Sequence, residues 1–331
     1  MFEKEMATGQ NAVIDAMRIS RTVQKELTGA DAITKSDKSP VTIADFAAQA
    51  IICKILKEHF PAIPIVAEEN SEVLKKPENR AILEKVLYYI TNDKKIKDIP
   101  DKDALFQAID LGTGEPTNDV FWALDPIDGT KGFLRGEQFA IALALIVNGE
   151  VQLGILGCPN LDLGNHGRVL FAEKGSGAYT MDSETRNRKK MGVSTITVPE
   201  KMRFVESYVS SHSNMDMQLH IARVLKLEQD PVRMDSQVKY GVLAAGQAEI
   251  YLRIPHPKTP DYQEKIWDHA AGSLIVEEAG GVVTDTLGKK LDFSVGKTLA
   301  NNRGIFASIP AIHTRILEII RELNQENPMM T

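Results

Sequence analysis

A mixed α/β fold of stacked helix and sheet layers follows from three features of this 331-residue sequence. Helical periodicity fills most of the first sixty residues, strongly β patterning begins near residue 139, and helices alternate with strands after about residue 200. Each such element carries an apolar face that has to be covered by a neighbouring layer. The length allows two sub-domains and a substantial core, expected at 1–197 and 198–331.

Taken in order, residues 4–28 place Met6, Val13, Met17, Val23 and Leu27 near helical spacing, with Gly29 as a stop. A polar turn from Lys35 to Pro40 follows, then a second helix from Thr42 to Phe60 that buries Phe46, Ile52, Ile55 and Leu56. Ile63 to Ala67 reads as a short strand ending at Glu68-Glu69. The next fifty-odd residues read as an excursion with one helix, Asn79 to Tyr89, and loops rich in lysine and aspartate around Asp93 to Asp103. An apolar run from Val120 to Leu124 then leads into a turn. Phe139 to Val147 and Glu150 to Gly157 flank Asn148-Gly149, a strong hairpin signal. Arg168 to Ala172 and Gly177 to Tyr179 form another pair, and polar residues 181–200 read as a linker. The last part reads as strand 203–208, helix 215–226, helix 237–246, strand 249–254, a helix from about Asp268 to Ala279 stopped by Gly280-Gly281, and a final helix over 310–325.

Composition narrows the function. The hydrophobic share of 43% and charged share of 25% are those of an ordinary soluble globular protein. With a net charge of −6 and no block of five basic residues, the footprint of a nucleic-acid binder is missing. The longest apolar run, Phe139 to Val147, is far shorter than the ~20 residues of a membrane span. The first residues have no apolar signal region, and Cys53 and Cys158 suggest neither a bridge nor a thiolate metal site. The expectation is a cytoplasmic protein.

The chemistry concentrates in Phe121-Trp-Ala-Leu-Asp-Pro-Ile-Asp-Gly-Thr130. Asp125 and Asp128, three apart around a proline bend, can converge on one small region. Hard divalent cations such as Mg²⁺ take oxygen ligands and leave room for water and a phosphate oxygen. Asp45, Glu68 and Asp268 also stand at element boundaries. Carboxylates gathered from such ends at one sheet edge suit a multi-metal site, where ions activate a water and stabilise a leaving oxygen. Taken singly, each has an ordinary reading. Thr42 and Asp45 fit a capping box, Asp268 an N-cap, Glu68-Glu69 a solvated turn, and Asp125 to Thr130 a β-turn. Their joint occurrence favours the metal site. Phosphatases with an aspartate nucleophile place two Asp residues two apart; the spacing of three here argues against a phospho-aspartate and for attack by an activated water.

Together Glu68-Glu69, Asp125-Pro-Ile-Asp-Gly-Thr130 and Trp267-Asp-His-Ala-Ala-Gly272 resemble the lithium-sensitive, Mg²⁺-dependent superfamily of inositol monophosphatases and fructose bisphosphatases. Within it the chain is most similar to the 3′(2′),5′-bisphosphate nucleotidases. Their signatures are matched by Ser39-Pro-Val-Thr-Ile-Ala-Asp-Phe-Ala-Ala-Gln49, Lys131-Gly-Phe-Leu-Arg-Gly-Glu-Gln-Phe139, Gly157-Cys-Pro-Asn160, Met234-Asp-Ser-Gln-Val-Lys-Tyr240 and Tyr262-Gln-Glu-Lys-Ile-Trp-Asp268. The resemblance spans residues 39–272. It implies the five-layer αβαβα sugar-phosphatase fold, with the site between two sub-domains.

Roles are implied position by position. Glu68, Asp125 and the Ile127 carbonyl would hold one Mg²⁺, and Asp125, Asp128 and Asp268 a second, with a third, weaker ion on Glu68. Asp45 and Thr130 would take a proton from the attacking water. Thr130, His212, Ser236, Lys239, Arg253 and Asp268 would contact substrate, the two cations holding the phosphate that is not cleaved. A His256-to-Pro260 insertion departs from the family pattern. The implied activity is hydrolysis of adenosine 3′,5′-bisphosphate to AMP and phosphate, with its phosphosulfate analogue as second substrate, by a lithium-sensitive monomer. The alternatives are an inositol polyphosphate 1-phosphatase, a dual-specificity enzyme, or a non-catalytic nucleotide or metal sensor.

Overall fold

A computed structural model describes residues 1–26, 32–35, 40–93, 96, 99–161, 167–208, 215–255, 259 and 262–326. The helices are α1 (Glu3–Glu26), α2 (Ile43–His59), α3 (Arg80–Asn92), α4 (Lys102–Asp110), α5 (Thr130–Leu134), α6 (Met215–Leu225), α7 (Val238–Ala244), α8 (Ala270–Glu278) and α9 (Pro310–Glu326). A short antiparallel pair, β1 (Ala32–Thr34) and β2 (Pro40–Thr42), leads into α2.

The larger sheet runs in chain order through β3 (Ile65–Ala67), β4 (Val120–Asp128), β5 (Ala140–Val147), β6 (Glu150–Cys158), β7 (Arg168–Glu173), β8 (Ala178–Asp182) and β9 (Arg188–Lys190). Its first pair is parallel and the others antiparallel. A smaller sheet is ordered β11 (Val232–Arg233), β10 (Phe204–Glu206), β12 (Ile250–Arg253), β14 (Ile305–Ser308), β13 (Val282–Thr284).

Three apolar clusters separate these sheets and helices into five layers. On β5, Ile141, Leu143 and Leu145 join the cluster beneath α1 and α2, while Ala140, Ala142 and Ala144 turn to the opposite side, toward α7 and α8. That is the period-two alternation of a strand covered on both faces. The small residues on the inner face let α8 approach closely: a Cβ at Gly154 of β6 would lie 2.6 Å from the Ala271 carbonyl oxygen. The same inner cluster takes in Val205, Tyr251 and Ala307 of the smaller sheet. The far face of that sheet, with Phe204, Ile250 and Phe306, packs on Ile221 of α6 and Ile316 and Ile320 of α9. The order is therefore helices, large sheet, helices, small sheet, helices, as expected.

Several elements differ from the sequence reading. The excursion holds a second helix, α4, capped by Asp101, whose side chain accepts from the Asp103 and Ala104 amides. Its charged first turn hides a buried stripe of Leu105, Ala108 and Ile109 facing α2. The linker contains an edge strand, β9, and β13 and β14 extend the small sheet. The hairpin at Asn148-Gly149 has both residues at positive φ (51° and 72°), as a primed two-residue turn requires.

Candidate active site

Strand register brings the first two carboxylates together. Parallel pairing sets Ala67 of β3 beside Leu124 of β4, and the Glu68 amide continues the ladder to the Leu124 carbonyl at 3.2 Å. Glu68, just past the end of β3, and Asp125, within β4, therefore sit side by side. The strand does not stop before its carboxylates, as the sequence suggested, but runs through Asp128. A register shift against β5 falls between Asp125 and Asp128, where Pro126 could not donate to the ladder. The Ile127 amide folds back onto Asp125 Oδ1 at 3.1 Å.

Asp45 comes from α2, which packs on β4. Its Oδ2 accepts the Thr42 amide at 2.7 Å and the Thr42 hydroxyl at 2.6 Å, while that hydroxyl accepts from the Ala44 amide at 3.1 Å. The capping box is real, and the same carboxylate belongs to the acidic cluster. Asp268 is not the α8 N-cap: it ends a 3₁₀ turn, Ile266–Asp268, that rests on β4 and β5, and His269 holds the cap position without a side-chain bond.

Opposite stand α7 and β12. The Gln237 amide donates to Asp128 Oδ2 at 2.6 Å, and the Gln237 side chain bonds the Trp267 carbonyl at 2.8 Å and the Gly272 amide at 3.0 Å. Ser236 sits at φ 65°, a conformation costly for a residue with a Cβ. Gly129, at φ 85°, is required there, because a Cβ would lie 2.8 Å from Ser236 Cβ. The ammonium of Lys239 lies 5.5 Å from the Tyr251 ring centre.

Electrostatics tie the parts into one cluster. Burial pushes the carboxyls of Asp45, Asp125, Asp128 and Asp268 above their usual range. For Asp125, Glu68, Asp128, Asp268 and Asp45 add to that rise, so all five act on one small region. Lys239 and Arg253 oppose the rise at Asp128, and Arg253 opposes it at Asp268. Burial in turn pulls Lys239 down to about 8, against the pull of Asp128. Lys35 bonds Glu68 at 2.9 Å and Glu69 at 2.6 Å. Buried like charges this close cannot all ionise unaided, and their oxygens are the hard donors that a magnesium ion prefers. The donor set fits such a cation.

Other expected positions stand differently. Thr130 opens α5, which packs on β2, but its hydroxyl donates to the Ile127 carbonyl at 3.1 Å rather than to Asp45. His212 lies outside the described residues, as do His256, Pro257, Lys258 and Pro260 of the insertion. Glu264, Asp268 and His269 also bring ligand atoms within 4.8 Å of one another. Glu264 is already bonded to Arg253 at 2.8 Å and to His269 at 3.1 Å, which leaves Asp268 as the member of this trio that faces the carboxylate cluster.

Sequence reasoning missed Lys35, Gln237 and Glu264. The last two lie inside strings singled out above, yet no local rule marks them as contacts.

Comparison with known proteins identifies the family. The profile described as "Inositol monophosphatase family" matches residues 3–325. The chain belongs to that family. As an inositol monophosphatase family member it is a phosphatase, and its relatives refine the picture. It is 42% identical to a 3′(2′),5′-bisphosphate nucleotidase of Oryza sativa, over 98% of this chain and 96% of that protein. Against a 3′(2′),5′-bisphosphate nucleotidase of Schizosaccharomyces pombe it is 40% identical, over 92% and 90%. Among solved structures, an IMPase of Thermotoga maritima superposes with a TM-score of 0.66 at 23% identity, covering 98% of this chain and 99% of that one. An inositol monophosphatase from Anabaena gives 0.63 at 21%, covering 97% and 96%. These two bear on fold alone. No helix among the described residues is long and apolar enough to cross a membrane.

Proposed function

We propose that this phosphatase is a Mg²⁺-dependent 3′(2′),5′-bisphosphate nucleotidase that converts adenosine 3′,5′-bisphosphate to AMP and phosphate, and acts also on the phosphosulfate analogue. The observation that carries the reading is a buried carboxylate cluster with two cationic side chains, Lys239 and Arg253, near enough to offset part of its charge. The names of the curated relatives support the substrate.

Glu68, Asp125, the Ile127 carbonyl, Asp128 and Asp268 would hold two to three ions. Magnesium bound there supplies a water of lowered pKa and neutralises charge on the reacting phosphate. The protein's own part is positioning. Asp45, buried and anchored by Thr42, is the proton acceptor, reached through the Thr130 hydroxyl. That pairing requires Thr130 to turn away from the Ile127 carbonyl. Lys239 and Arg253 receive the phosphate that stays, and Ser236 and His212 complete the nucleotide contacts. Residues 1–197 would form the metal-bearing sub-domain and 198–331 the nucleotide-bearing one, in a cytoplasmic monomer.

Phosphate release is measured with Mg²⁺ from adenosine 3′,5′-bisphosphate and, in parallel, from inositol 1,4-bisphosphate. Preference for the nucleotide is expected; preference for the inositol ester overturns the substrate assignment, and no turnover on either favours a sensor.

A further inference from the structure

Behind Arg253 runs a buried chain of hydrogen bonds that the reaction scheme above does not use. Arg253 Nε donates to Glu264 Oε1 at 2.8 Å, His269 Nε2 lies 3.1 Å from Glu264 Oε2, and His269 Nδ1 lies 2.8 Å from the Tyr240 hydroxyl. Glu264, His269 and Tyr240 are each at most 5% exposed. Burial opposes ionisation of Glu264, but Arg253 and His269 outweigh it and bring the carboxyl down to about 2. An ionised carboxylate only accepts, so Nε2 of His269 carries the proton, and in the neutral imidazole Nδ1 then accepts from the Tyr240 hydroxyl. Apart from Glu264, each link is a site residue or its chain neighbour: Tyr240 follows Lys239, and His269 follows Asp268. The chain thus braces α7, the turn before α8 and the end of β12 against one another.

We propose that Glu264 is a positioning residue that sets selectivity for substrates with a second phosphate, by holding the Arg253 guanidinium toward the site. This rests on the reading of Arg253 as the contact for the phosphate that is not cleaved. A buried counter-charge on Nε fixes the plane of the guanidinium, and a planar fork binds phosphate only when so oriented. The substitution Glu264→Gln keeps the shape of the side chain. His269 can accommodate it by moving its proton to Nδ1, with Tyr240 then accepting.

The test compares adenosine 3′,5′-bisphosphate with 3′-AMP, which lacks the second phosphate. In Glu264→Gln, KM for the bisphosphate should rise about tenfold with kcat within about twofold, and kcat/KM for 3′-AMP should change by less than about twofold. Calorimetric affinity for AMP, whose phosphate is the one retained, should fall by the same factor of about ten. Equal losses on both substrates mean a merely structural role and overturn the proposal. Should Glu264→Gln fail to fold, the Arg253→Met/Glu264→Gln double variant, which removes both buried charges, carries the test. Its selectivity must equal that of Arg253→Met alone; a further loss overturns the proposal. Wild type separates the two ideas: no preference for the bisphosphate rejects the nucleotidase reading and this proposal with it, whereas a wild-type preference that survives Glu264→Gln rejects only the role of Glu264.

Discussion

The two walls of the site solve opposite electrostatic problems. On one wall the ends of β3 and β4, the first turn of α2 and the turn before α8 crowd five carboxylates, and burial with mutual repulsion drives the carboxyls of the four aspartates upward. On the other, β12 holds a cation that already has its buried counter-ion, Glu264, and α7 carries Lys239 beside Asp128. Lys35, Lys239 and Arg253 offset only part of the charge on the acidic wall, whereas Arg253 on the basic wall has its counter-ion before any ligand arrives. The difference fits the proposed division of tasks, with ions and chemistry on the first wall and substrate contacts on the second.

The sharpest way to break this contrast is Asp125→Asn. It keeps the acceptor for the Ile127 amide but removes the charge at the centre of the cluster. Turnover should fall by about 10³-fold or more, since an ion loses its central ligand. In chelator the same variant should melt higher than wild type by the equivalent of ~1–2 kcal/mol, because a buried like charge is gone. Activity within tenfold of wild type, or a lower melting point in chelator, would mean that Asp125 is not at the centre of the acidic wall.

A second experiment follows stability against pH. Carboxyls raised in the folded state keep protons that the unfolded chain releases above its ordinary pKa of about 4. Their stabilisation is complete below that value and is lost as pH rises through the elevated folded pKa. Metal-free protein should therefore lose stability on going upward from about pH 6, because Glu264, held at about 2 in the fold, adds an opposing slope only below that pH, where the unfolded carboxyl still takes up protons. Magnesium should flatten this decline and add ~2.7 kcal/mol at a hundred times its Kd. An identical slope with and without Mg²⁺ counts against an ion in the cluster.

The smallest effect belongs to the basic wall. Lys239 titrates near 8, so substrate KM should rise severalfold as pH passes through that value. In Lys239→Arg, which stays charged, the rise should disappear. Persistence of the same pH profile in the variant would remove Lys239 from substrate binding.

Much of the fold was legible because its signals are local. The capping box at Thr42, the Asn148-Gly149 hairpin and the stop at Gly280, whose φ is 92°, depend on a few adjacent residues. α4 was hidden because its cap and first turn are acidic, and its three buried residues become a stripe only against α2.

By itself the sequence determined which side chains stand at element ends, their chemistry, and the alternation that sorts each strand into two faces, since these follow from backbone period and capping. Tertiary structure alone decided the neighbours. The β3–β4 register set Glu68 beside Asp125, the Gln237 amide came to Asp128, and Arg253 was joined through Glu264 and His269 to Tyr240. Such contacts link residues from different layers, and their geometry is set by how sheets and helices pack, which no local pattern encodes.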